Sequence, residues 1–131
     1  MMEVWRQYSV DKALIRVYTS GKMLSGLSAG SICWFISGHS DSEFIEGVER
    51  PKHKWVKGLG IIPYLHCPHY DEPERADFDE FFAGQIADAI AIENQVAIVW
   101  ENNEIKVIKS NTDKNAYRLS WSNTGLIKKV L

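Results

Sequence analysis

The chain has 131 residues, which fits one domain, and its 45% hydrophobic and 24% charged residues are an ordinary globular composition. A net charge of −2, a pI of about 6.1 and the lack of any basic run exclude a nucleic-acid footprint. No apolar run reaches the ~18 residues of a membrane span, the early charges of MMEVWRQYSVDK argue against a secretory signal, and two cysteines make no disulfide framework, so a reducing cytoplasm is the expected compartment.

Met2 to Thr19 reads as a helix, with Val4, Tyr8, Leu14, Ile15 and Tyr18 at near-helical spacing. Ser9-Val10-Asp11 is a point of interruption, Asp11 a cap for a second segment, and Gly21 the residue that ends it. Lys22 to Leu27 reads as a short strand. A sharp turn follows at Gly26-Leu27-Ser28-Ala29-Gly30, then a helix through Ile32, Cys33, Trp34 and Phe35. G-x-S-x-G between a strand and a helix is the nucleophile-elbow pattern. Its flanking glycines remove side chains that would collide in a tight turn, and the Ala29 N–H, at the helix start, can point at a developing oxyanion.

Ser37 to Glu43 reads as a polar, turn-rich loop bearing His39, Asp41 and Glu43, and Val48 to Lys57 as irregular. Leu59 to Cys67 is an apolar strand in which Pro63 implies an edge or a bulge. It ends in Cys67-Pro68-His69-Tyr70-Asp71, which places His69 after a strand end. Glu74 to Ile90 reads as a helix with Phe78, Phe81, Phe82, Ile86, Ala89 and Ile90 on one face. Beyond Ala91 the pattern turns to strands. Asn102-Asn103 joins one hairpin and Ser122-Asn123-Thr124-Gly125 a second. The expected class is α/β, with parallel strands and a C-terminal antiparallel hairpin region.

Ser28, Asp41 and His69 follow in the order nucleophile, acid, base. Serine needs a base to take its proton, histidine does so near neutral pH, and a carboxylate orients the imidazole. Glu43 rivals Asp41 for that last role, since residues two apart in an extended segment point the same way. His66, Cys67, His69 and Asp71 offer soft and nitrogen ligands, but no second cluster lies at zinc-like spacing, so no metal and no cofactor are expected. Cys33, between Ile32 and Trp34, is expected to be buried rather than nucleophilic.

With Gly26-Leu27-Ser28-Ala29-Gly30-Ser31 and Cys67-Pro68-His69-Tyr70 both in view, the chain resembles the peptidase E (aspartyl dipeptidase) family of serine peptidases. The resemblance runs from about Val4 to the C-terminus and includes the Gly38-His39-Ser40-Asp41-Ser42 stretch and the Gly58-Leu59-Gly60 strand entry. It implies a class I glutamine amidotransferase-like three-layer sandwich and hydrolysis of short peptides, N-terminal aspartate favoured. It further implies Ser28 as nucleophile, His69 as base, Asp41 as acid with Glu43 as the alternative, Ala29 as an oxyanion donor, and Arg75 facing the substrate's acidic side chain. The family's N-terminal half, with a Gly-Gly-Asn segment supplying a second oxyanion donor, has no counterpart before Val4, so residues 1–131 read as one domain resembling the C-terminal half. Three alternatives follow: an inactive remnant, a half-domain pairing its exposed sheet edge with another copy, and an esterase of the α/β-hydrolase type. Against the esterase stands the short spacing from Ser28 to His69.

Overall fold

The computed structural model describes residues 1–131. Two short helices, α1 (Met2–Gln7) and α2 (Val10–Thr19), open the chain, broken at Ser9, whose φ is 57°. Gly21 ends α2 at φ 78°, with its N–H on the Tyr18 carbonyl and that of Lys22 on the Val17 carbonyl. Residues 22–27 form no strand: a strand exists by its partner, and none lies alongside. Met23 and Leu27 in that stretch are 90% and 83% exposed.

The helix after the elbow, α3, covers only Ala29–Ile32. Strand β1 then runs from Phe35 to Ser40, where a helix end and a loop were expected. The glycine at 38 is there for close packing and not for a turn, because a Cβ on it would meet the Ile32 side chain at 2.6 Å. Asp41 precedes a further short helix, α4 (Ser42–Ile45), so Asp41 and Glu43 do not share an extended segment. Residues 54–57, read as irregular, make strand β2 (Lys54–Lys57), antiparallel to β1.

Strand β3 (Ile62–Cys67) is central, paired parallel to β1. Pro63 sits at a bulge: the register advances two residues on β1, Phe35 to Ser37, against three on β3, Ile62 to Leu65. The long helix expected over Glu74–Ile90 does not form. A 3-10 turn (Pro73–Arg75) and a single-turn α5 (Phe78–Phe81) replace it. Gly84, at φ 74°, stops further winding, and Ile86 lies fully in solvent. Ala89–Ile92 is instead strand β4, parallel to β3. Its alternation explains the choice: Ala89 and Ala91 receive Phe78 and Phe82 on one face, while Ile90 meets Phe35 and Ile62 on the other.

Strands β5 (Val96–Glu101) and β6 (Glu104–Lys109) form a separate hairpin, with Asn102 and Asn103 at φ 53° and 62°. Strands β7 (Ala116–Ser122) and β8 (Gly125–Val130) form the second hairpin and extend the main sheet, whose order is β2-β1-β3-β4-β7-β8. The fold is therefore mixed α/β, with three parallel strands at the centre of six. No helix is long and apolar enough to cross a membrane.

Candidate active site

Ser28 occupies φ 54°, ψ −125°, a region hostile to a residue with a side chain. The turn is built to hold it there. Its carbonyl accepts the N–H of Ser31 at 2.9 Å and of Ile32 at 3.3 Å, and the Ser31 hydroxyl lies 2.6 Å away. Gly26 is sterically required, since a Cβ there would fall 1.9 Å from the Gly30 carbonyl oxygen. Gly30 is not: a Cβ on it meets nothing within 4 Å. Although Ser28 immediately precedes α3, its hydroxyl does not cap that helix. Ala29 is the first helical residue, where an N–H has no intrahelical acceptor.

The elbow is tied to β3. Ser31 Oγ lies 2.9 Å from Nε2 of buried His66, whose Nδ1 donates to the Ile90 carbonyl at 2.9 Å. Burial pushes the His66 imidazole down to about 4, so it is neutral at pH 7. Three residues further on, His69 leaves the strand at φ 54°. The segment is pinned by the Tyr70 N–H on the Ile92 carbonyl and the Glu72 N–H on the His69 carbonyl.

The His69 imidazole is held by a residue that sequence reasoning missed. Its Nδ1 lies 2.7 Å from Asn94 Oδ1 and 3.5 Å from Glu72 Oε1. Asn94 Nδ2 donates to Glu72 Oε1 at 3.0 Å, and the Asn94 backbone N–H donates to Asp71 Oδ1 at 2.7 Å. Burial alone would raise the Asp71 carboxyl. The Lys114 ammonium at 2.7 Å and the Asn94 N–H overcome that and hold it below its ordinary value.

Asp41 and Glu43 are engaged elsewhere. Asp41 Oδ2 accepts from Arg75 at 3.0 Å, and Glu43 accepts the Lys52 N–H at 3.0 Å with Lys54 Nζ 3.7 Å away. Neither contacts His69. Arg75 is 3% exposed, its guanidinium on Asp41, the His39 carbonyl and His39 Nδ1. Cys33 is fully buried with its thiol on the Gly30 carbonyl, and burial pushes it up to about 11.

His66, Cys67, His69 and Asp71 do not converge as metal ligands. His66 faces Ser31 and His69 faces Asn94, while Asp71 is paired with Lys114 and Cys67 turns to the other face of the sheet, 4.0 Å from His39 Nδ1. The cluster with ligand atoms within 4.8 Å of one another is His39, His53 and Asp77. There Arg75 donates to His39 Nδ1 at 3.2 Å, which leaves the proton of the neutral ring on Nε2, the atom a metal would need.

An elbow serine and a histidine at the carboxyl end of a parallel strand are the parts that α/β serine hydrolases use. Residues 1–108 match Peptidase family S51, and the chain belongs to that family. Over 123 residues, or 91% of the chain, it is 26% identical to the uncharacterized peptidase YgaJ of Bacillus subtilis (strain 168). The match covers 50% of that protein, so the chain spans about half the length of the curated relative it matches. Membership in this family sets the α/β-hydrolase esterase reading aside.

Proposed function

We propose that the chain carries the nucleophile and base of a serine peptidase acting on short peptides, with N-terminal aspartate favoured by family analogy. The observation that carries the reading is Ser28, held at φ 54° with its hydroxyl uncommitted to the helix it precedes. Ser28 Oγ attacks the scissile carbonyl carbon as its proton passes to His69 Nε2. The oxyanion is met by the Ala29 N–H. The tetrahedral species collapses with the proton handed to the leaving amine, and water, deprotonated by the same histidine, releases the acyl group from Ser28. In this reading the sheet is the C-terminal half of a class I glutamine amidotransferase-like three-layer sandwich. The buried Arg75 supports Asp41 rather than a substrate carboxylate.

A second reading is a half-domain that keeps the elbow but needs further polypeptide for turnover. The 50% coverage of the relative favours it. The test is labelling of the purified chain by a fluorophosphonate, wild type beside Ser28→Ala, followed by hydrolysis of aspartyl dipeptides. Labelling lost in the variant, with dipeptide turnover, supports the peptidase. Labelling without turnover supports the half-domain. A folded chain that does not label overturns the activated serine.

A further inference from the structure

We propose that Asn94 is the positioning residue of His69, taking the place that a carboxylate occupies in a Ser-His-Asp triad. The inference rests on His69 being the base. The hydrogen-bond directions follow from one another. Glu72 Oε1, an acceptor when ionised, receives Asn94 Nδ2 at 3.0 Å. The amide is thereby oriented with its Oδ1 toward the imidazole. Oδ1 can only accept, so the His69 Nδ1 at 2.7 Å must carry the proton. The neutral ring then has its lone pair on Nε2, the atom that a base turned toward the nucleophile needs.

The support extends outward from that pair. The Asn94 backbone is fixed by Asp71, and Asp71 by Lys114 at 2.7 Å. Asn94 follows the end of β4 and His69 the end of β3, so two adjacent parallel strands deliver the pair. A neutral amide orients the ring as a carboxylate would. It does not itself stabilise the imidazolium to the same degree; the carboxylate beside the ring is Glu72, whose Oε1 lies 3.5 Å from His69 Nδ1 and receives Asn94 Nδ2. Asp41, bound to Arg75, takes no part.

Two measurements on the full chain test this. Nitrogen-15 NMR of the His69 ring, above the pH at which it is protonated, reads the tautomer without requiring activity. The expected result is Nδ1–H in the wild type and in Asn94→Asp, with a shift toward Nε2–H when Asn94→Ala is made in a Glu72→Ala background, which removes the second acceptor 3.5 Å from Nδ1. An Nε2–H wild type, or a spectrum that Asn94→Ala leaves unchanged in the Glu72→Ala background, overturns the proposal. The second measurement is the rate of fluorophosphonate labelling of Ser28 against pH. Asn94→Asp places a full negative charge against the ring, favours the imidazolium, and should move the midpoint of the acid limb upward by about one pH unit or more. Asn94→Ala should lower the plateau rate by about 10–100-fold, while Asp41→Asn leaves the midpoint in place. A midpoint that follows Asp41 and ignores Asn94 overturns the proposal. A wild-type chain that does not label contradicts the peptidase reading instead, and the tautomer still decides the role of Asn94.

Discussion

Ser31 Oγ and His66 Nε2 lie 2.9 Å apart, joining the elbow to the central strand that leads to His69. The Ser31 hydroxyl has one proton and two acceptors, His66 Nε2 and the Ser28 carbonyl at 2.6 Å. His66 cannot donate in return, because its Nδ1 proton is on Ile90. Ser31→Ala leaves the Ser28 carbonyl its backbone donors but strips a buried imidazole of its only donor. The expected loss is about 1–3 kcal/mol, read as a lower urea midpoint with an unchanged slope. Ser31→Thr keeps the hydroxyl and should recover most of it; equal losses in both variants would mean that the hydroxyl is not what matters.

The two buried histidines make stability depend on pH. His66 is lowered from 6.5 to about 4, chiefly by burial, and His39 from 6.5 to about 4 by burial and then by neighbouring His53. Between those values the unfolded chain binds more protons than the folded one, so stability rises with pH there. Their contribution is complete above pH 6.5 and is lost as pH falls toward 4. Each histidine carries roughly 3 kcal/mol of that change. Melting temperature should fall steeply across this window, and His66→Gln should flatten the slope by about half. A flat profile in the wild type would show that neither ring is held neutral.

What could be read in the sequence was local. The Gly21 stop, the Asn102-Asn103 turn and the tight turn at Gly26 each put the deciding residue within a few positions of the feature, whereas the strand expected over Lys22 to Leu27 has no partner and does not form. The errors came from partners far along the chain. Phe78, Phe81 and Phe82 share a helical period, and Ala89 and Ile90 continue it by accident; their true period is two, set by the different faces they meet in the sheet. Gly38-His39-Ser40 reads as a turn because the group that meets the buried His39 ring at Nδ1, Arg75, lies 36 residues away. Asn94 was missed for the same reason, since it lies 25 residues from His69 and its role depends on β4 ending where it does. The signal was there: an apolar Ala-Ile-Ala-Ile run followed at once by Glu93-Asn94 marks a strand's carboxyl end.

Arg75 separates a structural role from a recognition role. Its guanidinium is 3% exposed and serves the His39 carbonyl and Asp41 together. Arg75→Met keeps the buried stem and removes the donors, so the His39 carbonyl and Asp41 lose their partner. A loss of about 1–3 kcal/mol is expected, seen as a lower melting temperature. The preference among dipeptides with acidic and neutral N-termini should not change. If selectivity for aspartate collapsed while the melting temperature held, Arg75 would be a substrate ligand after all.

The two elbow glycines should respond in opposite ways. At Gly26 a methyl group would fall 1.9 Å from the Gly30 carbonyl oxygen and 2.8 Å from Trp34 Nε1. Backbone cannot yield by that much without opening the turn, so Gly26→Ala should abolish labelling of Ser28 even where the chain stays folded. Gly30 is in α3, with open space where its Cβ would be. Gly30→Ala there restricts the unfolded chain and suits the helix, and should raise stability by about 0.5–1 kcal/mol. The comparison needs only a denaturant curve and a labelling gel for each variant. Both parts must hold, because a Gly26→Ala chain that still labels would mean that the strained turn at Ser28 is not what exposes the serine, and the case for an elbow nucleophile would lose its geometric basis.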